Sequence, residues 1–422
     1  MWKFDFYYSF LFWLSFVAVV LISRLLLFKR PWKRYSLLVF SLLFLLAIPR
    51  FHLYDLLVVL ATTAFAYTVT YILCRRNCIR NPRKRKLLAA VGLLGIICIL
   101  AFFKYHFIQD IIIGRVLFVT HRPMDYVFLL GISYFSFKML HTIIESYKQK
   151  IQYLTFLNYI NYILFFPSFI SGPISRFNHY AIQLDDESPR IFRDDVNAGA
   201  ERIVHGLFKK FVIVQILFPY THIISGEASS LSQLAFPRIA LGLYACALYA
   251  YFDFSAYSDL AIGCGRILGI TLPENFNNPF LRRNIRELWA NWHMSLTQWL
   301  IDYIYWPLVR RFRNLNYFRT HPLQLSVVAM TITFLICGMW HGETINFILW
   351  GAYHGIGISI ATVYQRVKSQ VRLEIARKYF ASRFSKAVGA FATFNFFALG
   401  LSLFVGNYDK FRIVVSKMFS FL

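Results

Sequence analysis

Two short segments of this chain carry the residue types best suited to chemistry. The first is Cys337-Gly-Met-Trp-His-Gly342, followed by Glu343 and by Asn346-Phe-Ile-Leu-Trp-Gly-Ala-Tyr-His-Gly355. An imidazole near its ordinary pKa of about 6.5 can take a proton from a hydroxyl at neutral pH and return it later. Gly338 and Gly342 leave room for a ligand or another backbone to come close, and Trp340 can wall off an apolar environment. His341 is therefore a candidate base, and a hydrogen-bonded buried histidine is the alternative. Asn346, Trp350 and His354 follow one another at i, i+4 and i+8, which stacks them on one helix face and suits hydrogen bonding between helices.

The second segment, Arg283 to Pro307, reads as one amphipathic helix. Asn284 with Glu287 three residues on forms a capping pattern, and Pro307 supplies a stop. Apolar residues at 285, 288, 289, 292, 296, 299, 300 and 303 keep the helical period. At about 100° per residue, Arg286, His293 and Thr297 share a face with Trp289 beside them, and Trp292 and Ser295 flank the histidine. His293 could bind a phosphate or thioester, position a substrate, or bond a neighbouring loop. No His pair has metal-ligand spacing with a carboxylate in support, so no metal site is expected. Phosphate-binding loops, dinucleotide fingerprints and nucleophile elbows are absent from the sequence.

The elements that must hold these residues lie in lipid. Of 422 residues, 58% are hydrophobic, 19% aromatic and 15% charged, and apolar runs near the ~20 residues needed to span a bilayer recur along the chain. The expected fold is all-α and polytopic, with about 11 transmembrane or re-entrant helices plus amphipathic interfacial ones. Candidate spans are 7–28, 36–49, 52–74, 87–105, 125–145, 156–172, 204–222, 237–263, 325–340, 345–363 and 388–405. The first is too long and aromatic for a signal peptide. The longest polar stretch, 171–202, is the best candidate for a loop. With no internal repeat or linker, residues 1–422 read as a single membrane domain.

The net charge of +25 does not point to nucleic acid, because the basic residues gather in short clusters between apolar runs, as cytoplasmic loops do. Such clusters lie at 29–34, 75–86, 148–150, Lys209 with Lys210, 310–319 and 366–386. This arrangement sets the N-terminus outside and puts His341 at the far turn of a hairpin. The run 325–340 would reach about 24 Å, short of a ~30 Å core, leaving His341 inside the membrane profile. An ionisable group there is a functional-site hypothesis by default. The six cysteines are scattered and read mostly as small buried hydrophobes.

Seven motifs in order, two of them in the segments above, give the chain a resemblance. They are Gly131-Ile-Ser-Tyr-Phe-Ser-Phe, Phe165-Phe-Pro-Ser-Phe-Ile-Ser-Gly-Pro-Ile-Ser-Arg176, Gly206-Leu-Phe-Lys-Lys210, the run Tyr251 to Gly263, Pro273-Glu-Asn-Phe-Asn-Asn-Pro-Phe280, Trp292-His-Met-Ser-Leu296 and Trp340-His-Gly342. Together they resemble the bacterial branch of the membrane-bound O-acyltransferases, which includes the alginate O-acetylation and teichoic-acid D-alanylation membrane proteins. By that resemblance His341 matches the essential membrane-embedded histidine and His293 the second histidine implicated in activity. Arg176, Asp253, Tyr257 and Asn277 also fall in family motifs, where structural roles suffice.

The resemblance implies acyl transfer from a cytoplasmic thioester to hydroxyls of an envelope polysaccharide outside the cytoplasmic membrane. His341 is the expected base and His293 its positioning or proton-sharing partner. Trp292, Ser295, Arg286, Trp340, Asn346 and His354 are expected along the path of substrate or donor. No cofactor is bound permanently; the donor is acetyl-CoA or a phosphopantetheinyl carrier protein, and a second extracytoplasmic acyltransferase is a possible partner. Acetyl is the favoured group. D-alanyl transfer to teichoic acid is the nearest alternative, and an exporter or scaffold of polymer synthesis is the alternative of another class.

Overall fold

A computed structural model describes residues 15–22, 33–48, 51–75, 78–112, 129–151, 153–185, 192–370 and 382–421. Among them the regular elements are helices, and the extended pairing is an isolated bridge between Phe276 and Trp292. Seven helices are long and apolar enough to cross a membrane: Leu53–Cys74, Pro82–Lys104, Asp194–Ser225, Phe236–Ile267, Pro322–His341, Ile345–Ser369 and Arg383–Gly406. This is an all-α polytopic membrane architecture. These seven match seven of the eleven expected spans. Of the rest, 7–28 and 125–145 lie partly outside the described residues, and 36–49 is the 15-residue helix Lys33–Ala47.

Two expectations in this region need correction. The segment 156–172 is not one span, since its helix Phe156–Leu164 has 9 residues before a 3-10 turn at Phe166–Ser168. Pro167, Gly172 and Pro173 stop a longer helix, because proline lacks an amide hydrogen and restricts the residue before it. The stretch 171–202 is not a loop either. Helix Phe177–Asp185 buries Phe177, Tyr180 and Leu184, and helix Phe192–Phe208 has begun well before residue 202. Polar residues there have partners: Gln183 Oε1 accepts from the Thr271 amide at 2.7 Å, and Asp185 meets Arg34 at 2.7 Å.

The described residues divide into two compact units, one drawn from 15–207 and 257–273, the other from 208–256 and 274–421. In the first, Asn81 caps Pro82–Lys104 by accepting from the Arg83 amide at 2.9 Å, with Pro82 where its missing amide costs nothing. Thr62, Thr63 and Thr70 satisfy their hydroxyls on carbonyls four residues back, which lets them sit in an apolar helix. Arg202 pairs with Asp259 at 2.6 Å and Arg266 with Asp195 at 3.5 Å.

In the second unit Lys210, 0% exposed, pairs with Asp253 at 2.5 Å, and Lys209 Nζ donates to Ser255 Oγ at 2.8 Å. These two lysines are therefore not a loop cluster facing the cytoplasm. They sit in the π-helical turn Lys209–Ile213 and are held by partners more than 40 residues away. The hairpin of Pro322–His341 and Ile345–Ser369 is closely packed, since a Cβ at Gly338 would strike the Phe347 carbonyl and one at Gly351 the Phe334 carbonyl. Gly338 thus admits a neighbouring backbone rather than a ligand.

Candidate active site

His341 is the last residue of Pro322–His341, a 20-residue helix. At 1.5 Å per residue it measures about 30 Å, enough to cross a hydrocarbon core. The expected short helix is thus corrected: Pro322 at the first helical turn starts the element before the apolar run does. What encloses His341, which is only partly exposed, is aromatic packing. Its ring lies 4.5 Å from Trp340, 5.0 Å edge-on to Trp350 and 4.9 Å edge-on to Phe404, measured between ring centroids.

His293 sits quite differently. The expected continuous helix from 284 to 306 is broken into Ile285–Ala290, Met294–Leu300, a π-helical turn Ile301–Tyr305 and Trp306–Phe312. At the break His293 has φ 43° and ψ 51°, the left-handed region that non-glycine residues rarely adopt. The strand-like run 275–277 holds it there. Asn277 donates its amide to the Asn291 carbonyl at 3.1 Å, and Met294 donates its amide to the Asn275 carbonyl at 2.9 Å. The side-chain oxygen of Asn275 accepts from the Ser295 hydroxyl at 2.6 Å. The capping pair was legible, with the Glu287 amide donating to Asn284 Oδ1 at 2.9 Å.

His293 is 5% exposed, and its ring meets Phe254 edge-on at 4.6 Å. Burial pushes its imidazole down to about 3, so it is neutral at physiological pH. The shared face of Arg286, His293 and Thr297 is also corrected. Arg286 is exposed and donates to Gln365 Oε1 at 3.4 Å, Thr297 donates to the Trp292 carbonyl, and the buried imidazole is on neither side chain's contact set. The left-handed turn rotates the chain between Trp289 and Met294, so the periodic angle no longer applies.

The two histidines are not in contact, but a continuous series of rings joins them within one unit. From His341 it runs through Trp350 to His354, 4.8 Å further on, and then to Trp289, 5.2 Å away. Phe397 follows at 6.2 Å and Trp292 at 4.8 Å. Phe276 at 5.1 Å, Phe254 at 5.2 Å and His293 complete it. Trp292, Trp340, Ser295 and His354 therefore lie on or beside this series. Asn346 does not, because its Oδ1 accepts from the Tyr408 amide and caps the helix Tyr408–Phe421.

Three residues of the series, Phe254, Phe276 and Phe397, and the clamp residue Asn275 were not singled out from sequence. Trp289 had been placed beside His293; it packs on His354 instead, and its Nε1 donates to His354 Nδ1 at 3.4 Å. The motif containing Asn275 was legible, yet nothing local tells which of its three asparagines turns inward.

The chain matches the membrane-bound O-acyltransferase family over residues 6–404. It is 31% identical to a teichoic acid D-alanyltransferase of Streptococcus thermophilus, covering 66% of this chain and 68% of that one. A probable alginate O-acetylase AlgI of Pseudomonas syringae is 33% identical over 62% of this chain and 51% of its own length. A peptidoglycan O-acetyltransferase of Helicobacter pylori is 27% identical over 76% of this chain and 62% of its own. The chain thus spans between about half and two thirds of the length of these relatives. It belongs to the membrane-bound O-acyltransferase family.

Proposed function

We propose that this protein moves an acyl group from a cytoplasmic thioester to hydroxyls of an envelope polymer outside the cytoplasmic membrane. The observation that supports this reading is the ring series from His293 to His341, which sets two imidazoles at the ends of one run of packed aromatic side chains. His341, partly exposed, is the general base. It takes the proton of the acceptor hydroxyl as that oxygen attacks the thioester carbonyl; the C–S bond breaks, and the thiolate takes the proton back. The leaving thiol's pKa, about 8.5, makes this departure easy. His293, neutral and clamped, supports the donor end without exchanging charge.

The favoured group is acetyl and the acceptor a polysaccharide, which agrees with the activity for which two of the relatives are named. D-alanyl transfer from a carrier protein is the second reading, favoured by the greater share of the D-alanyltransferase that the chain covers. The test is ester content of the envelope polymer in cells carrying His341→Ala or His293→Ala at equal protein level. Removal of the base at 341 lowers ester content about 10²- to 10⁴-fold. Unchanged acylation in both variants would end the reading.

A further inference from the structure

At the His341 end of the ring series stand two buried donors with no acceptor among the described residues. His354 is 0% exposed and Trp350 3%. Trp289 Nε1 carries a hydrogen and can only donate, so His354 Nδ1, 3.4 Å away, must be the acceptor. That leaves His354 neutral with its proton on Nε2. Neither this Nε2–H nor the Trp350 Nε1–H meets an acceptor among the described residues. The two rings are adjacent on one helix face, their centroids 4.8 Å apart, and Trp350 is edge-on to His341 at 5.0 Å. Gly400 faces His354 Nε2 with no side chain, and a Cβ there would lie 2.8 Å from that nitrogen.

Buried N–H groups are nearly always hydrogen-bonded, and an unmade bond costs more than a made one gains. Two such donors together beside a candidate base call for a ligand that brings acceptor atoms and no charge of its own. A carboxylate or phosphate would call for cations, and none is among the ring contacts of either residue. A carbonyl oxygen fits both the chemistry and the apolar walls.

We infer that Trp350 and His354 form a station that binds the carbonyl oxygens of the acyl donor, thioester or amide, next to His341. This rests on the acyl-transfer reading above. It also gives His354 a task that excludes the role of base, because its Nδ1 is occupied and its Nε2 is protonated.

The experiment uses the purified full chain with an unacylated polysaccharide as hydroxyl acceptor and, as donor, acetyl-CoA or separately a D-alanyl-loaded carrier protein. Thiol release is followed, and whichever donor the wild type turns over is used for kinetics. Trp350→Phe keeps a ring and removes the N–H, and should raise donor KM about fivefold with kcat within about twofold. His354→Gln retains a donor near Nε2 and should recover most of the affinity that His354→Phe loses. An active wild type with unchanged donor KM in Trp350→Phe and His354→Phe would overturn the station and leave the acyl-transfer reading standing. Loss of kcat alone in all variants would equally overturn it, as a packing role. Turnover of neither donor by the wild type would remove both readings.

Discussion

His341 and His293 are the same residue type in one unit of one chain, yet they are built to opposite specifications. His341 ends a helix without left-handed backbone, is partly exposed, and has the rings of Trp340, Trp350 and Phe404 packed around it. His293 interrupts an amphipathic segment, is buried, adopts left-handed backbone, and is fixed on both sides by the 275–277 run. A base has to meet a substrate and change charge, which the first setting allows. The second favours a fixed, neutral group, and backbone strain of this kind persists only where the surroundings over-determine it.

The sharpest way to break that contrast is to change each histidine and read activity beside stability. His341→Ala should lose transfer by about 10²- to 10⁴-fold while its melting temperature in detergent stays near that of the wild type. A large drop in melting temperature would place His341 among structural residues. Asn275→Ala comes next: it leaves the Ser295 hydroxyl without its acceptor and should cost about 1–3 kcal/mol of stability. Protease resistance or thermal unfolding would measure this, and activity should fall with it because the side-chain part of the clamp on His293 is lost while its two backbone bonds remain.

A smaller effect tests the backbone alone. At φ 43° glycine is the more comfortable residue, so His293→Gly should be more stable than His293→Ala by about 1 kcal/mol. The reverse order would mean that position 293 is not left-handed in the folded protein.

The last comparison is pH dependence. Burial holds the folded His293 down at about 3, whereas an unfolded imidazole titrates near 6.5. Between those values the unfolded state binds more protons, so stability is complete above about pH 6.5 and declines as pH falls towards 3. Melting temperatures at pH 5 and 7.5 should therefore differ more for the wild type than for His293→Gln. Equal differences would show that His293 is already solvated when folded.

Much of this was legible in sequence for reasons that are local. The apolar positions of 285–303 are buried as their period requires up to Leu300, because a one-residue left-handed turn alters direction without discarding the buried side. Three features were not legible, each because it depends on distant residues. The break at His293 is imposed by the 275–277 run. The burial of Lys210 depends on Asp253, 43 residues away, whereas a charge count registers only a basic pair. The chemistry of His354 depends on Trp289, 65 residues earlier, which helical spacing had put next to a different histidine. The length of Pro322–His341 was misjudged for a simpler reason, since a helix begins at its capping turn and not at its first apolar residue.

The central claim is that the two histidines are the two ends of one path across the membrane. Single cysteines at Glu343, two residues beyond His341, and at Arg286, on the exposed side of the short helix before His293, would test it in intact cells. The account predicts that a membrane-impermeant maleimide labels Glu343→Cys from outside and Arg286→Cys only after permeabilisation, each above the wild-type background. Labelling of both from the same side would contradict it.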